Sequence, residues 1–199
     1  MKNSVRQPQQ ERSNEKKNKI ISASYQLLSE VGYYGTNTAE IAKMAGVSTG
    51  IVYGYFQDKR DILICVLDLY VQKVFQPIFK LFDELSAPIN FNYLIPKLLD
   101  AVIKAHKNNA KIHEALHSLT HTDEAVSHKF ISLEDNITLE IAEKFKNLGL
   151  NIENATEKIH FAMNILQSFA HEYVFDKHDY IDYEKMQSMV CKILVDLFN

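Results

Sequence analysis

A chain of 199 residues, 46% hydrophobic, 24% charged and with a net charge of −3, is long enough for one or two domains with a buried core, and its composition excludes a disordered or collagen-like protein. Its two cysteines, Cys65 and Cys191, lie far apart and have no CxxC partners, which excludes a disulfide framework and a cysteine-based zinc site. With no secretory h-region and no evident run of about 18 apolar residues, the chain is read as cytoplasmic, neither exported nor spanning a membrane. Four prolines and six glycines punctuate it sparsely, which favours long helices over short strands. Residues 1–13 are polar, contain Pro8 and show no apolar period, the pattern of a flexible basic arm. Residues 1–60 hold nine Lys/Arg against five acids, a net of +4, and the remainder holds 13 against 20, a net of −7. A basic end on an acidic body points to a polyanion as the partner of the first segment, although a solvated lysine-rich tail gives the same count.

After the arm, Ile20, Ala23, Leu27, Leu28 and Val31 recur at helical spacing, and Gly32 is a plausible stop. Thr36 or Asn37 is placed to cap a short second helix, TAEIAKM, and Ala45-Gly46-Val47 makes a tight turn. Ser48 caps a third helix to about Phe56, and Asp58 caps a fourth, with Asp61 three residues on in a box-like arrangement. A helix-turn-helix needs a small residue at the helix crossing, a turn free to take positive φ, and apolar plugs beneath. Ala42, Gly46, and Ile41, Val47 and Val52 meet those needs at the right offsets.

The run VSTGIVYGYFQDK, residues 47–59, resembles the signature of the TetR family of bacterial repressors, roughly V-S-x-G-x-[LV]-Y-x-[YH]-F-x-[SND]-K, with every specified position filled. The glycine-aromatic turn Val31-Gly32-Tyr33 before Thr36-Asn37-Thr38 also looks like that family, as does the length. The close resemblance covers about residues 16–63. It implies a helix-turn-helix DNA-binding domain over 14–60 and an effector-binding and dimerisation domain over 61–199. Residue by residue, it implies that Thr49 and Gly50 open the helix that enters the major groove, that Tyr53, Tyr55 and Thr38 hold phosphates, and that Lys59 meets a phosphate at the start of the fourth helix. Ala39 and Ser48 are counted with them. The competing reading of Tyr53, Tyr55 and Phe56 is a staple between helices, which is preferred for Phe56. The third helix has no Arg, Lys, Asn or Gln before Gln57, so it lacks the usual bidentate readers of guanine and adenine. Thr49, methyl contacts, DNA shape and the tail with Arg6, Arg12, Lys16, Lys17 and Lys19 are left to supply specificity.

The fourth helix carries an apolar pattern through Pro77, read as a kink, to Leu85, and Ser86-Ala87-Pro88 breaks the chain. Three further helices are predicted between about Asn90 and Phe145, a stop at 148–151, and two closing helices. The first of these, 153–175, is apolar around most of its circumference and needs cover on more than one side. Together with the three-four stripe of the last helix, this makes the pair the predicted homodimer surface, with Leu166, Phe169, Tyr173, Met189, Ile193 and Leu197 as candidates. Phe79, Phe82, Phe91 and Phe161, with His113 and His117, are candidates for a pocket that takes a small apolar or aromatic effector. His106, His113, His117 and His121 recur at spacings of seven, four and four; no metal or cofactor is assigned to them. An enzyme using His113 and Glu114 is disfavoured, since adjacent helical side chains diverge by about 100°. The resemblance implies a repressor that binds a palindromic operator as a dimer and leaves it when an effector shifts the fourth helix. The alternative is a structural or division-associated DNA-binding protein with no effector.

Overall fold

A computed structural model describes residues 6–199, with side chains from residue 10 onward. Among the described residues the chain forms nine α-helices and no strand: α1 (Arg6–Gly35), α2 (Thr38–Ala45), α3 (Thr49–Tyr55), α4 (Lys59–Asp83), α5 (Phe91–Asn108), α6 (Ala110–Thr120), α7 (Glu124–Asn147), α8 (Ala155–Phe175) and α9 (Tyr183–Phe198). The expected arm lies partly outside the described residues, at 1–5; residues 6–13 are the opening turns of α1. Pro8 stands in the first of those turns, where no intrahelical bond needs its missing N–H. Near its other end α1 breaks at Gly32, which takes φ 72 and ψ −179.

The chain divides into two compact units, Met1–Gln72 with Lys111–Ser127, and Lys73–Ala110 with His128–Asn199. In the first, α1 to α4 bury Leu28, Ile41, Val52, Phe56, Leu63 and Leu67, and α6 adds Ile112 and Leu116. Polar ties fasten α6 and the start of α7 to this unit. The buried Tyr70 hydroxyl hydrogen-bonds His113 Nδ1 at 2.6 Å. Burial pushes the Tyr70 phenol up, so it stays protonated and is the natural donor. Lys111 donates to the Glu30 carbonyl, and the Arg60 guanidinium pairs with the Asp123 carboxylate.

In the second unit α5 packs on α8 and α9, which pack on each other. The core draws Phe91, Leu98 and Leu99 from α5, Ile141 and Phe145 from α7, Leu166 and Phe169 from α8, and Val190 and Leu194 from α9. Leu99 and Leu194 are fully buried, and truncating either to alanine is expected to cost about 2–5 kcal/mol.

α4 runs unbroken through Pro77. By length and composition it is long and apolar enough to cross a membrane, although it holds no uninterrupted run of about 18 apolar residues. Ile62, Leu63, Val66 and Leu67 of this helix are buried inside the protein, the pattern of a core helix.

Candidate nucleic-acid interface

The two helices that carry the motif are each capped at both ends by their own sequence. Asn37 Oδ1 accepts from the backbone N–H of Ala39 at 3.1 Å and of Glu40 at 3.0 Å, so Asn37, and not Thr36, caps α2. Thr36 is buried and donates its hydroxyl to the Gly32 carbonyl at 2.8 Å. At the far end Gly46 takes φ 68 and ψ 32. Its N–H reaches the Lys43 carbonyl and that of Val47 the Ala42 carbonyl, 3.2 and 3.0 Å, which together close α2 in the six-to-one, five-to-two pattern that a left-handed glycine permits. Two residues after Gly46, Ser48 Oγ accepts from Ile51 N–H at 3.3 Å and starts α3. Asp58 Oδ1 accepts from Asp61 N–H, and Asp61 Oδ2 accepts from Gln57 N–H, both at 2.9 Å, which fixes the start of α4. Beneath, Ile41, Ala42 and Val52 are buried and Val47 is half-buried.

This packing leaves Ala39, Ser48, Thr49, Gly50 and Tyr53 exposed, while Thr38, Tyr55 and Lys59 are half-buried. A Cβ on Gly50 would meet nothing nearer than Ser48 Oγ at 3.9 Å, and one on Gly54 would meet nothing within 4 Å. The start of α3 is therefore an open, low surface with bare backbone. The tyrosines have protein partners as well as an outward position: Tyr53 Oη lies 3.1 Å from Thr38 Oγ1, and Tyr55 Oη 3.0 Å from Ser13 Oγ. Sequence reasoning missed Ser13, which no local pattern singles out. Phe56 is core, and Lys17 lies over its ring. The Lys59 ammonium donates to the carbonyls of Tyr33 and Thr36, at 2.7 and 3.0 Å, and sits 3.9 Å from the centre of the Tyr33 ring. Partial burial lowers its pKa. It thus holds the turn between α1 and α2.

The candidate pocket residues separate. Phe82 and Phe91 line a small apolar cavity of about 40 Å³ in the second unit, with Leu94, Phe145, Leu166 and Phe198 among the other walls. Phe79 is half-buried against the same core. Phe161 is 53% exposed. His113 and His117 belong to the first unit, their rings 4.1 Å apart. Among the described residues no three His, Cys, Asp or Glu side chains are grouped to hold a metal ion. Of the candidate dimer residues, Leu166 and Phe169 are buried in their own unit's core, Tyr173 and Leu197 are half-buried, and Met189 and Ile193 are 63% and 54% exposed. Phe145 and Phe198 were missed; the signal for Phe198 is the inward series Val190, Leu194, Phe198, at intervals of four.

A capped helix pair with a glycine turn and an exposed second-helix start defines a helix-turn-helix unit, and the chain carries a further all-helical unit beside it in sequence. Residues 20–66 match the family model described as bacterial regulatory proteins, tetR family. The transcriptional regulator HbdR of Aromatoleum sp. (strain CIB) is 50% identical over 64 residues, 30% of this chain and 28% of that protein. The fatty acid metabolism regulator protein of Bacillus subtilis (strain 168) is 37% identical over 67 residues, 34% and 33% of the two chains. The matched segments thus span about a third or less of these curated relatives. A crystal structure of a TetR-family transcriptional regulator from Mesorhizobium loti MAFF303099 shares the fold over 94% of this chain and 96% of its own, with a TM-score of 0.73 at 20% identity. Residues 20–66 therefore carry a segment similar to the DNA-binding part of TetR-family transcriptional regulators, and the rest of the chain shares the fold of such a regulator.

Proposed function

We propose that this regulator is a cytoplasmic repressor that binds a palindromic operator as a homodimer and leaves it when a small apolar or aromatic effector binds. The observation that carries the DNA-binding part is the open start of α3, where Ser48, Thr49, Gly50 and Tyr53 are exposed on a helix anchored from below by Val52. A backbone without side chains at Gly50 lets the helix approach base edges closely. Thr38 and Tyr53 present hydroxyls side by side, a geometry suited to one phosphate. Lys59 acts on the interface by holding the turn that positions α2.

The apolar effector class rests on the cavity walls, which include no polar side chain. One relative is named for fatty acid metabolism, and a fatty-acyl chain is one member of that class. Dimerisation is assigned to the outward sides of α8 and α9, where Phe161, Met189 and Ile193 are exposed. The effector-free alternative draws on one observation: at about 40 Å³ the cavity is nearly filled.

Fluorescence anisotropy on the intergenic DNA upstream of the gene, at two salt concentrations, tests the DNA reading. Tight binding that weakens with salt and is lost in Tyr53→Ala and Gly50→Leu is the expected result. If neither that DNA nor any sequence selected from a random pool binds above a random duplex, the reading fails.

A further inference from the structure

The cavity poses a problem of size. Pockets for small ligands usually enclose about 300–1,000 Å³, whereas this one holds about 40 Å³, roughly room for a single water. A ligand enters only if a wall gives way. The lining side chains of α4, α5 and α7 are all buried, and those of α8 are buried except Met163, which accepts a hydrogen bond from Thr138 Oγ1 at 3.5 Å. Phe198 is different. It is only half-buried and stands in the last turn of α9, where helices fray and carbonyls lack intrahelical partners.

Its ring occupies an aromatic corner. It stacks on Phe91 with centroids 5.1 Å apart and an interplanar angle of 16°, and meets Phe145 edge-on at 6.1 Å and 83°. Both are favoured aromatic geometries, and Phe91 and Phe145 themselves meet edge-on at 6.0 Å and 82°, so their corner recognises a flat ring from two directions. The walls offer no charged or hydrogen-bonding side chain, and a charge buried there would go uncompensated.

We propose that the Phe198 ring is a built-in occupant of the effector cavity, and that the effector buries an uncharged aromatic group that replaces this ring in the corner formed by Phe91 and Phe145. The proposal rests on the effector reading above. It also answers the difficulty of the small cavity, because the space is taken up by a half-buried side chain at the end of a helix. A ligand then competes with the ring, and its apparent affinity is reduced by the fraction of molecules in which the ring is out.

The test uses the full chain and N-phenylnaphthylamine, an uncharged diaryl probe that fluoresces in apolar surroundings. Phe198→Ala is expected to bind the probe about tenfold more tightly than wild type, and Phe198→Leu to fall between them. Helix content by circular dichroism shows that each variant is folded. If Phe198→Ala does not fold, Phe198→Leu decides alone: tighter binding than wild type supports the proposal and equal binding overturns it. Equal affinity in all three proteins, or no binding by any, also overturns it. Operator binding by the same proteins separates the two readings. A wild-type protein that binds no operator removes the regulator reading whatever the probe does; intact operator binding with equal probe affinities removes the plug alone.

Discussion

Asp123 stands where several small forces add. Its carboxylate pairs with Arg60, whose Nη2 donates at 2.8 Å, and Oδ1 also accepts from the N–H groups of Ala125 and Val126 at 3.0 and 3.2 Å. The Arg60 guanidinium first, and then these backbone donors, hold its pKa down to about 2, well below the 3.8 of a free aspartate. A carboxylate whose folded pKa is depressed contributes stability above its unfolded pKa and loses it as pH falls through the folded one. The contribution of this group is therefore complete near neutrality and fades from about pH 4 to about pH 2. Asp123→Asn is expected to unfold at lower urea than wild type at pH 6, with the gap closing toward pH 2. A gap of constant size across that range would mean that the charge is not the cause. Lys59 makes a second case. Lys59→Met removes the donor to the Tyr33 and Thr36 carbonyls; for a half-exposed cation a loss of about 1 kcal/mol is expected, less than a buried charged bond would give. Because those carbonyls belong to the turn before α2, operator affinity should fall with stability, and anisotropy beside urea titration checks both.

At the scale of the element, α3 is the informative helix. It has seven residues, two of them glycine, an unfavourable composition for a short helix. Neither glycine is demanded by the free fold, since a Cβ at either position meets nothing closer than 3.9 Å. Gly50→Ala should therefore leave the free protein as stable as wild type or up to about 1 kcal/mol more so, while operator affinity falls; Gly50→Leu should lower it further. Thermal melts and anisotropy together decide, and a Gly50→Leu variant that binds DNA like wild type would show that nothing approaches this face. The caps around α3 were legible in the sequence because each is local: Ser48, Asp58 and Gly46 act within a few residues of themselves. What α8 faces was not legible. A helix apolar around most of its circumference has no single period to separate core from surface, and only packing against α5 and α9 turns Leu166 and Phe169 inward and leaves Phe161 outside. The place of α6 was hidden for a similar reason, since the bonds from His113 to Tyr70 and from Lys111 to Glu30 span 43 and 81 residues.

For the whole molecule, the question is whether the outward apolar side chains of α8 and α9 meet a second copy. Phe161, Met189 and Ile193 are more than half exposed, and apolar exposure of this kind is expected to find a partner. In a two-fold interface each substitution acts twice, so the paired change Met189→Glu and Ile193→Glu should turn a dimer into a monomer at micromolar concentration without loss of helix. Operator affinity should drop with it, because a palindrome is held by two recognition helices that only the dimer delivers together. Leu166→Glu and Phe169→Glu are the necessary contrast. Both side chains lie in their own unit's core, so a charge there should reduce folding itself and not merely association. Sedimentation velocity with circular dichroism separates the two outcomes. A folded Met189→Glu, Ile193→Glu variant that still sediments as a dimer would move the interface elsewhere, and a wild-type protein that sediments as a monomer would remove it. If instead the surface variant is a folded monomer and the core variants unfold, the outward pair holds the partner, and the candidate dimer residues of the two closing helices divide between two tasks.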